Sequence, residues 1–252
     1  MRYKIAGLAA AAIIFGGMQA ATAADMAVKA RPMVAPIVTS YNWTGFYIGG
    51  SAGWAHGDFD WRYQNPVPAT IPPFSANNDN WAFGGFIGYQ YQWSQVVLGV
   101  EASGNWLSGD NWASGQILPF PTATQVRADS VYTVGGKLGW AWNTWLLYVD
   151  GGWATGIVKT RLVPTGGAAF DFTSERQDGW YVGGGLDYLL TSTGFADIIV
   201  GLDYKHVDLG TKSHLSSLDA FGPSPPGVNG RDISAKEDIV SLRLTFKVNP
   251  FH

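Results

Sequence analysis

The chain has 252 residues, a formal net charge of −3, 33 glycines, 36 aromatic residues of which 12 are tryptophan, and no cysteine. Without cysteine there is no disulfide framework, no thiolate metal site and no thiol catalysis, and without a basic cluster there is no electrostatic footprint for nucleic acid. Glycine-rich strands flanked by Trp and Tyr fit a tightly curved barrel wall with interfacial aromatic girdles.

Arg2 and Lys4 precede an apolar run from Ile5 to Gly17 and the small-x-small pattern Ala21-Thr22-Ala23. This is a secretory leader, residues 1–23, with cleavage expected after Ala23 or one residue later, after Ala24. The run is too short for the ~20 residues of a spanning helix. Residues 24–41, with Pro32 and Pro36, read as an extended segment that enters no core. The rest, residues 42–252, is expected to form one domain, and no stretch in it suits a helical span. Membrane insertion must therefore use strands.

Eight segments alternate apolar with polar or small residues. The first, near 44–55, carries Phe46, Ile48, Ala52 and Trp54 on one face. The second, near 81–92, puts Phe83, Ile87, Tyr89 and Tyr91 outward and Gln90 and Gln92 inward. In the third, near 96–106, Leu98, Val100 and Trp106 oppose Glu101. The fourth, near 131–141, sets Tyr132, Val134, Leu138 and Trp140 against Thr133 and Lys137. The fifth, near 145–158, sets Leu147, Val149 and Trp153 against Tyr148 and Asp150. The sixth, near 179–190, sets Trp180, Val182, Leu186, Tyr188 and Leu190 against Tyr181 and Asp187. The seventh, near 196–206, sets Ile198, Val200, Leu202 and Tyr204 against Asp197, Asp203 and Lys205. The last, near 238–248, sets Val240, Leu242, Leu244 and Phe246 against Ser241, Arg243, Thr245 and Lys247. Each has the ~10 residues that a tilted membrane strand needs.

The connections alternate in length. Residues 93–95, 142–144 and 191–195 read as tight turns, whereas 56–80, 108–130, 159–178 and 207–237 read as long polar loops. That asymmetry is the plan of an outer-membrane barrel, with turns and both termini in the periplasm and long loops outside. The expected fold is all-β: a closed antiparallel up-and-down eight-stranded transmembrane barrel, closed because no backbone group at membrane depth can be left unpaired. Alternation alone does not say which face is inside, and a soluble lipocalin-like barrel would invert it. Charge confined to one face, and the bulk of the other, point the apolar face to lipid.

The lumen would then hold Glu101, Asp150, Asp187 and Asp203 against Lys137, Lys205, Arg243 and Lys247, a balanced set. A barrel of eight strands is just wide enough for its own side chains, so an interlocked ion-pair network is expected ahead of a charge-selective pore.

Several segments also carry a family likeness: Trp43-Thr44-Gly45-Phe46-Tyr47-Ile48-Gly49-Gly50, Gly84 to Gln92 followed by Leu98-Gly99-Val100-Glu101, Gly136-Lys137-Leu138-Gly139-Trp140-Ala141, Leu147-Tyr148-Val149-Asp150-Gly151-Gly152, and Gly179-Trp180-Tyr181-Val182-Gly183. Over about residues 43–248 the chain resembles the outer-membrane immunogenic proteins, porin-like and opacity-type surface antigens of Gram-negative bacteria. The resemblance implies an integral barrel that serves envelope integrity and surface display, with no shared catalytic residues. Such proteins usually end on an aromatic residue read by the barrel assembly machinery. Here Val248 holds that place, which leaves Phe246 or Phe251 as the signal.

Catalysis has no supported site, and no cofactor or metal is expected. His214 and Ser216 have a spacing similar to that of barrel lipid A deacylases, but fall in the fourth long loop, where a solvated histidine is expected. His206 reads as an interfacial residue. Asn77-Asn78-Asp79-Asn80 reads as a hydrated loop tip rather than a calcium loop, and Gly183-Gly184-Gly185 has no following helix to cradle a phosphate. The expected partners are outer-membrane lipid, lipopolysaccharide and the assembly machinery. The ligand of the outer loops is not legible.

Overall fold

The computed structural model describes residues 41–63, 73–117, 122–193, 195–215, 218–219, 222–223 and 230–248. The leader, most of the extended segment, Ser216 and Phe251 lie outside them. The strands are β1 (Gly45–Tyr63), β2 (Phe74–Trp93), β3 (Val96–Ser108), β4 (Ala113–Ile117), β5 (Thr122–Trp142), β6 (Trp145–Pro164), β7 (Phe170–Ser192), β8 (Ala196–Leu215), β9 (Leu218–Asp219), β10 (Gly222–Pro223) and β11 (Gly230–Val248). β1, β2, β3, β5, β6, β7, β8 and β11 pair in that order, each antiparallel to the next, and β11 returns to β1. Ring closure leaves no strand edge at membrane depth, as a transmembrane barrel requires. β4 pairs with the far end of β5, and β9 with β10 in a separate small sheet.

The apolar face is outside. Val134 and Leu138 are 48% and 51% exposed while Lys137 between them is 4% exposed. All nineteen residues expected to face lipid lie on that outer wall, with Tyr188 and Val200 half-buried and the rest exposed. Trp93, Trp140, Trp142 and Trp145 ring the tight-turn end, and Trp54, Trp81, Trp106, Trp153, Trp180 and Tyr204 form a second exposed girdle. Trp145 and Trp153 bracket the band on β6, a length that matches a hydrocarbon core crossed by a tilted strand. Two of the hairpins turn on Ser94 and Asn143, both at positive φ (58° and 53°).

The strands do not stop at the upper girdle. Stretches expected as long loops, including 56–63, 74–80, 122–130, 159–164, 170–178 and 207–215, are continuous strand. Above the girdle the wall also changes sign. On β1 and β11 the outward residues become His56, Asp58, Asp60, Asp238, Lys236 and Ser234, while Phe59, Trp61, Ala235 and Ile233 turn inward and are buried. Val126, Ala128, Val158, Val207 and Leu209 join them in one hydrophobic cluster. The physical reason is the change of surroundings: within lipid the outer wall must be apolar, whereas in water the apolar side chains gain by retreating into the barrel.

Candidate functional site

Just below that hydrophobic cluster, every strand of the closed ring sends a side chain into one cross-section of the lumen. Glu101 comes from β3, Lys137 from β5, Asp150 from β6, Asp187 from β7, Asp203 and Lys205 from β8, and Arg243 from β11, all buried. β1 adds Tyr47, β2 adds Phe86 and β6 adds Tyr148, likewise buried. Period-two alternation puts these residues on one side of the wall; among the charges only Lys137 and Asp150 are direct cross-strand partners, and the others meet through the reach of their side chains across the lumen.

Arg243 is the hub. It grips Glu101 with both terminal nitrogens, at 3.0 and 2.6 Å, lies 3.6 Å from Asp203, and stacks its guanidinium 3.8 Å from the Phe86 ring. This fork-to-fork geometry is the strong form of a charged hydrogen bond. Lys205 lies 2.6 Å from Asp203 and 3.7 Å from both Asp150 and Glu101. Lys137 approaches Asp187 at 3.4 Å and Glu101 at 3.9 Å, with its ammonium 3.6 Å from the Tyr148 ring centre. The Tyr47 hydroxyl donates to Glu101 (3.0 Å) and the Tyr148 hydroxyl to Asp203 (2.9 Å). The tyrosines fit because the facing wall is glycine: a Cβ on Gly185 would sit 2.5 Å from the Tyr148 hydroxyl oxygen. The void among Ser51, Ser103, Asn105 and Arg243 is about 10 Å³, room for about one water.

Lys247 is not part of this network. It lies at the tight-turn mouth, 3.3 Å from Asp197, and donates to the carbonyls of Asn42 and Thr44. The expected four-to-four balance is therefore corrected: around Arg243, four carboxylates face three cations. Tyr41 is corrected as well. Expected outside any core, it packs with Trp43, Val97, Leu146 and Ile199 and donates to Asp197 at 2.5 Å. Tyr47, Phe86 and Tyr148 share the inward parity of the charges, but only the closed ring brings them against Glu101, Arg243 and Asp203.

Other candidates move too. His214 is a buried residue of β8, hydrogen-bonded to Gln177 at 3.0 Å, and not a solvated loop histidine. A bulge shifts the β8–β11 register beside Ala235, where Gly210 adopts φ 66°, and the extra residue turns His214 inward. Burial, with Arg231 and Lys212 nearby, pushes its pKa down to about 4. His206, outward above the girdle, pairs with Asp238 at 2.7 Å. Residues 77–80 lie in β2 rather than a loop tip, with Asn78 and Asn80 buried. Among the described residues no three His, Cys, Asp or Glu side chains cluster as a metal site.

The family profile described as outer membrane protein beta-barrel domain matches residues 8–246. A 22 kDa outer membrane protein of Rhizobium leguminosarum is 30% identical over 223 residues, covering 85% of this chain and 89% of its own. A 31 kDa outer-membrane immunogenic protein of Brucella melitensis is 31% identical over 214 residues, covering 80% and 86%. Among solved structures, the outer membrane protein OprG of Pseudomonas aeruginosa aligns at 13% identity with a TM-score of 0.44, covering 83% of this chain and 99% of that one.

Proposed function

Because the chain belongs to the outer membrane β-barrel domain family, we propose that it is a structural, surface-displayed component of a Gram-negative outer membrane, non-enzymatic and closed by its own side chains. The names of its relatives, outer-membrane and immunogenic, support that location and display. In this reading the tight turns and both termini are periplasmic, and the polar-walled extension stands outside the cell. The last strand carries Phe246, exposed on its outer face, as the residue offered to the assembly machinery.

The observation that carries the closed-lumen reading is the tie between Arg243 and Glu101, with Lys137, Lys205, Asp150, Asp187 and Asp203 packed around it. An ion passing that cross-section would have to displace paired, buried charges, each costly to leave unpartnered. The test is single-channel recording of the refolded protein in planar bilayers. A closed barrel gives no steady current, while regular discrete steps would establish a narrow channel instead.

A further inference from the structure

Above the upper girdle the outer wall carries opposite charge on opposite sides. On β1, β2, β8 and β11 six aspartates point outward: Asp58, Asp60, Asp79, Asp208, Asp232 and Asp238. The outward cations among the described residues there are Arg62 and Lys236, so this face stays negative even with His56 and His206 both protonated. Asp58 and Asp79 stand open, with side chains 59% and 50% exposed. On β5 and β6 the sign reverses. Arg127, Lys159 and Arg161 face outward around Asp129, and exposed Asp110, in the adjoining connection after β3, does not cancel them. Trp112 lies between the two guanidinium groups, its ring centre 4.0 Å from Arg161 and 4.7 Å from Arg127, and Arg161 Nε donates to Gln125 at 2.7 Å. In the ring of eight strands the β11–β1 junction is diametrically opposite the β5–β6 junction. Within the apolar band below the acidic face, small Ala52 beside Phe83 and Leu242 leaves a groove of about 640 Å³ bounded by Trp54 and Trp81. On the opposite wall Gly136 and Gly151 pair in register, next to exposed Val134 and Leu138.

We propose that the acidic face of one barrel takes the basic face of a second copy, so that barrels join head to tail into rows in the plane of the membrane. Charge complementarity selects this partner. A two-fold symmetric pair would set acid against acid or base against base, whereas a heterologous contact sets Asp58 and Asp60 against Lys159 and Arg161. Because the two faces are diametrically opposite, that contact does not close on itself and each added copy leaves one face of each sign free. The membrane supplies the alignment: copies inserted the same way hold both faces just above the same girdle. Exposed ion pairs are weak singly, but confinement to one plane raises the effective concentration of the partner, and several pairs form at once. Trp112 and Gln125 hold Arg161 in place beforehand, which lowers the ordering cost of the contact. Lipid gives no hydrophobic drive between apolar walls, so the groove beside Ala52 and the glycine pair opposite contribute by letting the two walls approach closely. The proposal goes beyond the closed-barrel reading and needs only a common direction of insertion, so it stands or falls whether or not the lumen conducts.

The chain lacks cysteine, so Ser234→Cys marks the acidic face and Ile157→Cys the basic face without removing a charge. The full chain is expressed in the outer membrane of a Gram-negative host, isolated membranes are treated with a short bis-maleimide, and products are read on a denaturing gel. We expect the double variant Ser234→Cys/Ile157→Cys to give a ladder that continues past the dimer, and each single variant to stay monomeric. Adding Asp58→Lys and Asp60→Lys should cut the ladder at least fivefold, and adding Lys159→Glu and Arg161→Glu to those should restore it. High salt should shorten the ladder of the unreversed chain. Heat-modifiable gel mobility verifies folding, a fluorescent maleimide verifies that both cysteines react, and Asp58→Asn/Asp60→Asn carries the same test if the lysines are not accommodated. A dimer from either single variant, a ladder indifferent to charge reversal, or monomers throughout would each overturn the proposal. Monomers that retain a lipid in native mass spectrometry would also overturn it, and would make lipid the occupant.

Discussion

Glu237 is fully enclosed on the inner wall just above the upper girdle, opposite Gly57 and Val207. Its Oε1 has no hydrogen-bond partner among the described residues and flanks Gly57, where a Cβ would lie 2.6 Å from it. Desolvation, helped by the Asp238 and Asp58 carboxylates, pushes the Glu237 pKa up to about 8. An acid that holds its proton more tightly when folded gives stability that is full below about 4.5 and is lost as pH rises through about 8. His214 acts from the other side: with its pKa lowered, its contribution is full above 6.5 and is lost as pH falls toward 4. Equilibrium urea unfolding across pH should therefore show resistance declining on the alkaline side. Glu237→Gln should flatten that decline, at about 1.4 kcal/mol for each pH unit of the slope removed. A slope unchanged by the substitution would mean that the carboxyl is already ionised or solvated.

Each long strand is two elements in series, and β1 shows it most plainly. From Phe46 to Trp54 it is apolar outside, and from His56 to Arg62 it is polar outside with Phe59 and Trp61 buried. The two halves answer to different solvents, so they should lose stability separately. Phe59→Ala removes an aromatic ring from the upper cluster at a cost of about 3–5 kcal/mol. Hydrogen exchange should then quicken in 56–63, 74–80 and 230–238, while amides between the girdles keep their protection, because backbone groups in lipid have no alternative partner. Loss of protection throughout would show that the barrel unfolds as one cooperative unit.

At the scale of the molecule, the charged cross-section ties the wall to itself, with contacts that run from β1 through β11. Arg243→Ala leaves Glu101 without its bidentate partner in a buried site, an expected loss of about 3–5 kcal/mol. Lys247→Ala, at the mouth and outside the network, should cost less. Midpoints of guanidinium unfolding in lipid micelles would decide the order, and a larger effect at Lys247 would locate the main tie at the tight-turn end instead.

The sequence alone determined the outward set, the inward set and the strand count between the girdles, because a two-residue period and a lipid solvent leave one arrangement for residues such as Leu98, Trp140 and Leu242. It also held the sign change above the girdle, in runs such as Asp58-Phe59-Asp60-Trp61, but turn-forming Pro, Gly and Asn nearby made those runs read as loops. Tertiary structure decided what depends on register and closure. Only the ring brings Glu101 and Arg243 together across 142 positions of chain, separates Lys247 from them, and turns His214 inward at a bulge. Periodicity is local and therefore written in the chain. Which inward charge meets which is set by the stagger of strands distant in sequence, and that stagger exists only once the barrel has closed.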